Sequence, residues 1–382
     1  MDRVVQFLLN KVASVPVSLR EDPGVDVAAA EVSVNLGALF LHHYFDSYPT
    51  GAPKPDPSRF EYLDLVSSSR DFRLHEFVAS ASLIRRRTIS TELGQAFCRL
   101  MLQDHFDVTY FAHMNDVLNK PTHAALAGWK IVRVSRGDVP DYLCARRLGD
   151  PVLAEAKGRF RPVSFTYAPF QAWRDQFGRV TALGPRNASR RLKGYVVATR
   201  LVVEGSGGAT CVYLEDPNTP GDQPLARDEI PHLRRVSAAM HYARVFRKLD
   251  VLHVANALEN GFSLARELSF NVPVWTCMMP PFRGVEFIGG FYRTLPGQLP
   301  QLTEKGWQQG SFELGQGHGV FVGLLRDAAV TLARAARGDW AALDEVPTRE
   351  PTEFVSSEFA WLPDGTVGAP MVYFLPTGRQ VL

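Results

Sequence analysis

The fold turns on residues 140–157, Pro140-Asp141-Tyr142-Leu143-Cys144-Ala145-Arg146-Arg147-Leu148-Gly149-Asp150-Pro151-Val152-Leu153-Ala154-Glu155-Ala156-Lys157. Two extended apolar runs, 142–144 and 152–157, flank Leu148-Gly149-Asp150-Pro151, which supplies turn chemistry. Side chains two apart on a strand share a face, so Glu155 and Lys157 project together while Ala156 points away. A hairpin closed near Gly149 sets Asp141 opposite or diagonal to Glu155, within about 5 to 8 Å by cross-strand geometry. Two carboxylates and an ammonium then converge.

Working outward, Ser90 reads as a helix N-cap with Glu92 in the first turn. Leu93, Phe97, Leu100 and Met101 recur at helical spacing, and the pattern continues to residue 118. Residues 129–134 read as a strand, so three strands form a meander before Pro169 opens a helix carrying Gln171, Trp173 and Phe177. A strand over 195–203 follows, closed by the turn from Gly205 to Gly208. This order predicts an α/β or α+β core over 89–215.

Residues 1–88 read as an N-terminal accessory region. It holds an apolar stretch at 32–44, a Pro-rich connector at 48–58, strands at 60–66 and 72–82, and the run Arg85-Arg86-Arg87. His42 and His43 are adjacent, lack metal-ligand spacing and read as structural. Residues 216–382 read as a mixed α/β accessory domain. There a helix over 230–260 carries Arg234, His241, Arg244 and Lys248 on one solvated face. A strand over 272–275 is placed at a sheet edge by Pro273, a helix is expected over 320–337, and a hairpin over 359–375 turns at Asp364-Gly365.

With 382 residues, 46% hydrophobic and 21% charged, the chain has the composition of two or three globular domains, which excludes disordered and collagen-like classes. No apolar run approaches the roughly 18 residues that span a bilayer. Asp2, Arg3 and the early Gln6 do not suit a signal peptide, so a cytoplasmic chain is expected. Cys98, Cys144, Cys211 and Cys277 form no CxxC pair and suggest neither a zinc knuckle nor a disulfide framework. No nucleophile elbow or phosphate-binding loop is present, and Gly315-Gln316-Gly317-His318-Gly319 lacks a preceding strand signal. The net charge of +2 conceals an asymmetry. Residues 130–200 hold fifteen Lys and Arg against five Asp and Glu, +10 locally, which leaves −8 for the rest. Clustered cations of this kind suit a polyanionic partner.

Asp141, Glu155 and Lys157 lie inside that basic segment. A hard divalent cation takes one or two carboxylates together with waters and a substrate phosphate, and Asp141 and Glu155 are suited to hold it. Lys157 is placed to orient a water and to offset charge on phosphorus. Written P-D-x13-E-x-K between a preceding and a following helix, the arrangement resembles the PD-(D/E)xK nuclease superfamily over residues 90–203. The resemblance implies a restriction-endonuclease-like core with a mixed central sheet flanked by helices. It also implies Mg²⁺-dependent phosphodiester hydrolysis, with Mn²⁺ able to substitute, Asp141 and Glu155 as ligands and Lys157 as catalytic lysine. By the same resemblance Glu92 is a further metal ligand and Gln171 a further catalytic residue. The expected substrate is DNA, cut endonucleolytically, in restriction or anti-phage defence. A partner protein or a homo-oligomer is compatible with this reading. The alternative is a nucleic-acid-binding or assembly module that keeps the fold without turnover.

Overall fold

The computed structural model describes residues 2–47, 65–120, 122–185, 188–217, 225–293, 301–303, 320–348 and 359–382. The connector at 48–58, most of the strand expected at 60–66 and the glycine-rich 315–319 lie outside them.

Along the chain the elements begin with β1 (Asp2–Asn10), β2 (Glu31–Asn35), α1 (Leu36–Ser47), α2 (Phe77–Ser80), α3 (Leu83–Phe106), β3 (Val108–His113) and α4 (Met114–Leu118). They continue with β4 (Lys130–Arg133), β5 (Tyr142–Arg146), β6 (Pro151–Arg159), α5 (Ala168–Arg174), β7 (Val180–Leu183), β8 (Ser189–Arg190), β9 (Gly194–Arg200) and β10 (Cys211–Glu215). Then come α6 (Ile230–Lys248), α7 (Leu252–Asn260), β11 (Asn271–Cys277), β12 (Glu286–Arg293), β13 (Gln301–Thr303) and β14 (Val320–Leu325). The last are α8 (Arg326–Ala336), β15 (Ala360–Trp361), β16 (Thr366–Pro370) and β17 (Phe374–Val381).

Two units emerge from the packing, Asp2–Val34 with Asp64–His241 and Asn35–Leu63 with Tyr242–Leu382. They differ from the consecutive segments 1–88, 89–215 and 216–382 expected from sequence. The physical reason is long-range pairing: β1 lies parallel to β10, with Gln6 opposite Cys211, so the N-terminal strand belongs to the same sheet as the segment some two hundred residues later. Composition along the chain carries no trace of such a pair.

In the first of these units a seven-stranded sheet runs β2-β1-β10-β9-β6-β5-β3. It is mixed: β1–β10 and β6–β9 are parallel, whereas β9–β10, β5–β6 and β3–β5 are antiparallel. β6 sits inside it, and its first six residues, 151–156, are all buried. A strand covered on both faces reads as a continuous apolar run, as this one does. α3 packs one face of β6 at close range, because Gly94 and Gly158 carry no side chains where they meet. A Cβ on Gly158 would stand 1.5 Å from the Ser90 carbonyl oxygen, and one on Gly94 would stand 2.4 Å from the Gly158 nitrogen. Gly158→Ala is therefore expected to force α3 off the strand and cost about 1–3 kcal/mol or more. Urea unfolding checks this, and an unchanged midpoint contradicts it.

Several expectations for this unit need correction. Ser82, not Ser90, caps α3, its hydroxyl accepting from the Arg85 amide at 3.2 Å. Ser90 lies within the helix and donates to the Arg87 carbonyl at 3.0 Å. The helix does not reach residue 118, because Asp107 turns into the left-handed region at φ 58° and the buried run that follows is β3. Unbroken burial erases the difference between helical and strand period. As a result β3 takes the place beside β5, and β4 pairs with β7 in a separate β4-β7-β8 sheet, so the expected meander reduces to the β5–β6 hairpin. The strand expected at 72–82 is instead isolated bridges at Asp71 and Leu74, three in all, followed by α2. The turn near Gly205 is present, with Gly205 and Gly208 at positive φ.

The second unit has a sheet ordered β15-β16-β14-β12-β11-β17, with β13 on β12, and all its pairs are antiparallel. Trp275, Phe287, Phe321 and Phe374 form its aromatic core. The expected helix over 320–337 begins only at Arg326, since 320–325 is β14. β11 is not an edge strand. β12 pairs with it only from Val274 onward, which spares Pro273 any pairing on that side. The hairpin over 359–375 is present as β15–β16 with Gly365 at φ 86°. The helix expected over 230–260 breaks at Asp250, φ 60°, into α6 and α7. Its basic face is not solvated: His241 and Lys248 are buried, and the Lys248 ammonium lies 4.3 Å from the Tyr44 ring centre. His42 and His43 are buried side chains of α1. All four cysteines are buried free thiols. Among the described residues no helix is long and apolar enough to cross a membrane.

Candidate active site

The β5–β6 register pairs Tyr142 with Ala154 and Leu143 with Leu153, so one further step sets Asp141 opposite Glu155. Asp141 is fixed there from both sides. Its carbonyl accepts from the Met114 amide at 2.9 Å, and its Oδ2 accepts from the Ala156 amide at 2.8 Å. Strand alternation then separates the faces of β6. Gly158 lies against α3, whereas Glu155, Lys157 and Arg159 share the opposite face, where the Arg159 guanidinium stacks 5.1 Å from the Trp173 ring on α5.

Lys157 ties the two acids together. Its Nζ is in direct contact with Glu155 Oε1 and lies 3.8 Å from Asp141 Oδ2. The Glu155 side chain is wholly buried, while those of Asp141 and Lys157 are each 27% exposed, so the cluster opens to solvent on one side. Burial pushes the Glu155 carboxyl from its ordinary 4.5 up to about 8, and the adjacent Asp141 adds to the shift while Lys157 opposes it. Burial also works against the Lys157 ammonium, but Glu155 and Asp141 outweigh it and raise its pKa. Glu155 Oε2 is buried without a hydrogen-bond partner.

The raised carboxyl has a consequence for stability. The unfolded chain releases this proton near pH 4.5 and the folded chain near 8, so the contribution of the neutral carboxyl is fully present below 4.5 and is lost as pH rises toward 8. In metal-free buffer, Glu155→Gln is expected to flatten that part of the stability curve. Urea midpoints at the two ends of the window check it, and parallel curves for parent and variant contradict it.

Two of the expected site residues stand elsewhere. Gln171 is exposed on α5, where its amide donates to Asp175 Oδ1 at 2.8 Å and accepts from Arg174 at 3.1 Å. The residue that reaches the site is Gln176, buried just past α5, whose Nε2 donates to Glu155 Oε1 at 2.6 Å. A signal for it exists in the sequence, since Gln176 falls three residues after Trp173 and next to Phe177 on the same buried face, while Gln171 falls off that face. Glu92 lies on α3, the helix against the other face of β6. Among the described residues no group of three or more His, Cys, Asp or Glu side chains is arranged to hold a metal ion, so Glu92 does not complete a triad with Asp141 and Glu155.

α5 is anchored by its own charge pair. Arg174 donates from Nε to Glu215 Oε1 at 2.6 Å and from Nη2 to Glu215 Oε2 at 2.7 Å, where the carboxylate is fully buried at the end of β10. A bidentate pair of this kind fixes orientation as well as distance, and it holds the chain that delivers Gln176. Comparison with known proteins finds no family model, no curated protein and no solved structure that matches the chain.

Proposed function

We propose that the chain is a divalent-metal-dependent nuclease built on a restriction-endonuclease-like core, with Asp141, Glu155 and Lys157 as its site. The observation that carries this reading is the convergence of two carboxylates from adjacent strands on one ammonium, with one buried carboxylate oxygen left unpartnered. Hard oxygen donors in this number suit Mg²⁺ or Mn²⁺, which keeps most of its waters and takes one or two protein carboxylates. Asp141 and Glu155 would hold it, and the chemistry it supplies is polarisation of the phosphate and a lowered pKa for a bound water. Glu155 must give up its proton to serve as a ligand, and Gln176 holds the carboxylate in place meanwhile. Lys157 donates to an oxygen at the phosphate and offsets the negative charge that builds on phosphorus. The excess of +10 over residues 130–200 supports a nucleic-acid substrate. We take that substrate to be DNA, cut internally, in a restriction or anti-phage role, by the chain alone, as a homo-oligomer or with a partner protein.

Gln176→Ala is expected to lower cleavage about 10- to 100-fold, the usual effect of removing a group that orients a metal ligand. Gln171→Ala is expected to leave cleavage unchanged. Parallel kinetics on one DNA substrate check the pair, and equal rates for Gln176→Ala and the parent contradict the assignment. The main test is cleavage of DNA and RNA with Mg²⁺ or Mn²⁺, abolished by chelation.

A second reading, a nucleic-acid-binding or assembly module without turnover, is favoured by one feature: the Lys157 ammonium lies against both acids, so their charge is offset without a metal cation. Salt-dependent binding that ignores chelators, with no cleavage, distinguishes it.

A further inference from the structure

The connection between β4 and β5 is tied to the carboxylate cluster by a chain of hydrogen bonds. Gln176, whose Nε2 donates to Glu155 Oε1, accepts at its carbonyl from the Arg179 amide at 3.0 Å. Arg179 in turn donates from Nη1 to the Asp138 carbonyl at 2.8 Å, and its own carbonyl accepts from the Val134 amide at 2.9 Å. Gly137, at φ 117°, lies against that side chain, where a Cβ would stand 2.9 Å from the guanidinium carbon. The Asp138 carboxylate is near enough to the Lys157 ammonium to help raise its pKa. Residues 134–138 therefore border the site on the side of Lys157.

Charge identifies the occupant. Residues 130–137 and 176–190, which supply β4, β7 and β8, contain no Asp or Glu. Two of their arginines are engaged, Arg179 with Asp138 and Arg190 with Glu229 at 2.8 Å. Arg133 and Arg136 are exposed, and among the described residues neither forms a hydrogen bond or an ion pair. An exposed guanidinium fork with nothing in the fold to satisfy it matches the geometry of a phosphate. Arg136 precedes Asp141 by five residues, so their Cα atoms lie within about 17 Å of each other. That span covers about five base pairs at 3.4 Å each.

We propose that the β4–β5 connection is a phosphate clamp, in which Arg133 and Arg136 hold the nucleic-acid backbone beside the phosphate taken at Asp141, Glu155 and Lys157. The proposal rests on the nuclease reading and deepens it: backbone contacts fix the position of the strand and carry no sequence information.

The test uses the full chain, its Arg133→Ala/Arg136→Ala double variant and a control, Arg147→Ala, in the turn at the opposite end of the β5–β6 hairpin. Binding to a duplex oligonucleotide is measured over a range of salt with Ca²⁺ in place of Mg²⁺, and cleavage with Mg²⁺ over a range of DNA concentration. For the double variant the slope of log affinity against log salt is expected to fall by about one per arginine, with affinity about tenfold weaker on any sequence. Its cleavage should be slow at low DNA and recover as DNA is raised, whereas Lys157→Ala stays slow at saturation. Arg147→Ala should match the parent slope. An unchanged slope in the double variant, or an equal fall in Arg147→Ala, overturns the clamp. Binding of polyglutamate as tight as that of the duplex, and lost alike in the double variant, also overturns it and assigns the loop to an acidic protein partner. A slope that falls as expected in a chain that cuts nothing refutes the nuclease reading alone. A parent that cuts, with a double variant of unchanged slope, refutes only the clamp.

Discussion

Lys157→Ala is expected to slow Mg²⁺-dependent cleavage by about 10²- to 10³-fold, the range seen when one donor aimed at developing charge is removed from a catalytic site. The loss should appear in kcat, because the ammonium is worth most when charge accumulates on phosphorus. Removing Lys157 also leaves Glu155 and Asp141 facing each other without their shared cation, so the Glu155 pKa should climb further and the activity that remains should shift to higher pH. Arg is the informative control. It keeps the charge but is longer and planar, so it cannot occupy the compact ammonium position and should not restore the parent rate. Single-turnover kinetics on one DNA substrate measure all three proteins, and a Lys157→Ala rate equal to the parent contradicts the assignment.

Arg174→Ala is expected to be the most destabilising change outside the cluster, by about 3–5 kcal/mol, the cost of removing one partner of a buried ion pair. Glu215 is fully buried, and without Arg174 it keeps, among the described residues, the Asn10 amide and Lys11 at 3.8 Å. Arg174→Met/Glu215→Leu, which removes both charges at similar volume, should recover much of the loss. Urea unfolding measures the three chains, and a double variant no more stable than Arg174→Ala contradicts the ion-pair account. Because Gln176 follows two residues later, the single variant should also lose activity before it unfolds globally.

How much of this was legible beforehand follows from the range of each interaction. The β5–β6 hairpin could be read from 140–157 because its turn, its alternation and its charged ends are all local. α3 was legible as a helix and misplaced at both ends. Its cap, Ser82, precedes two exposed aliphatics that do not announce a helix start, and its end runs into an equally apolar strand. β1 could not be placed, because its partner β10 is two hundred residues distant and one residue pattern serves many registers. The convergence of Asp141, Glu155 and Lys157 could be read from strand geometry alone. The side of β6 on which Glu92 falls depends on the Gly94–Gly158 contact, which no spacing rule reveals. Gln171 was assigned by resemblance to a glutamine in the following helix, whereas helical phase relative to Trp173 points to Gln176 as the residue that meets Glu155.

The central claim is that Asp141 and Glu155 support metal-dependent phosphodiester cleavage. The most direct measurement is plasmid cleavage by the parent and by Asp141→Ala, side by side, with Mg²⁺, with Mn²⁺ and with chelator. The account predicts nicked and linear products from the parent in the presence of either ion, none with chelator, and none from the variant in any condition. Intact plasmid with the parent under every condition, or equal cutting by Asp141→Ala, would contradict it.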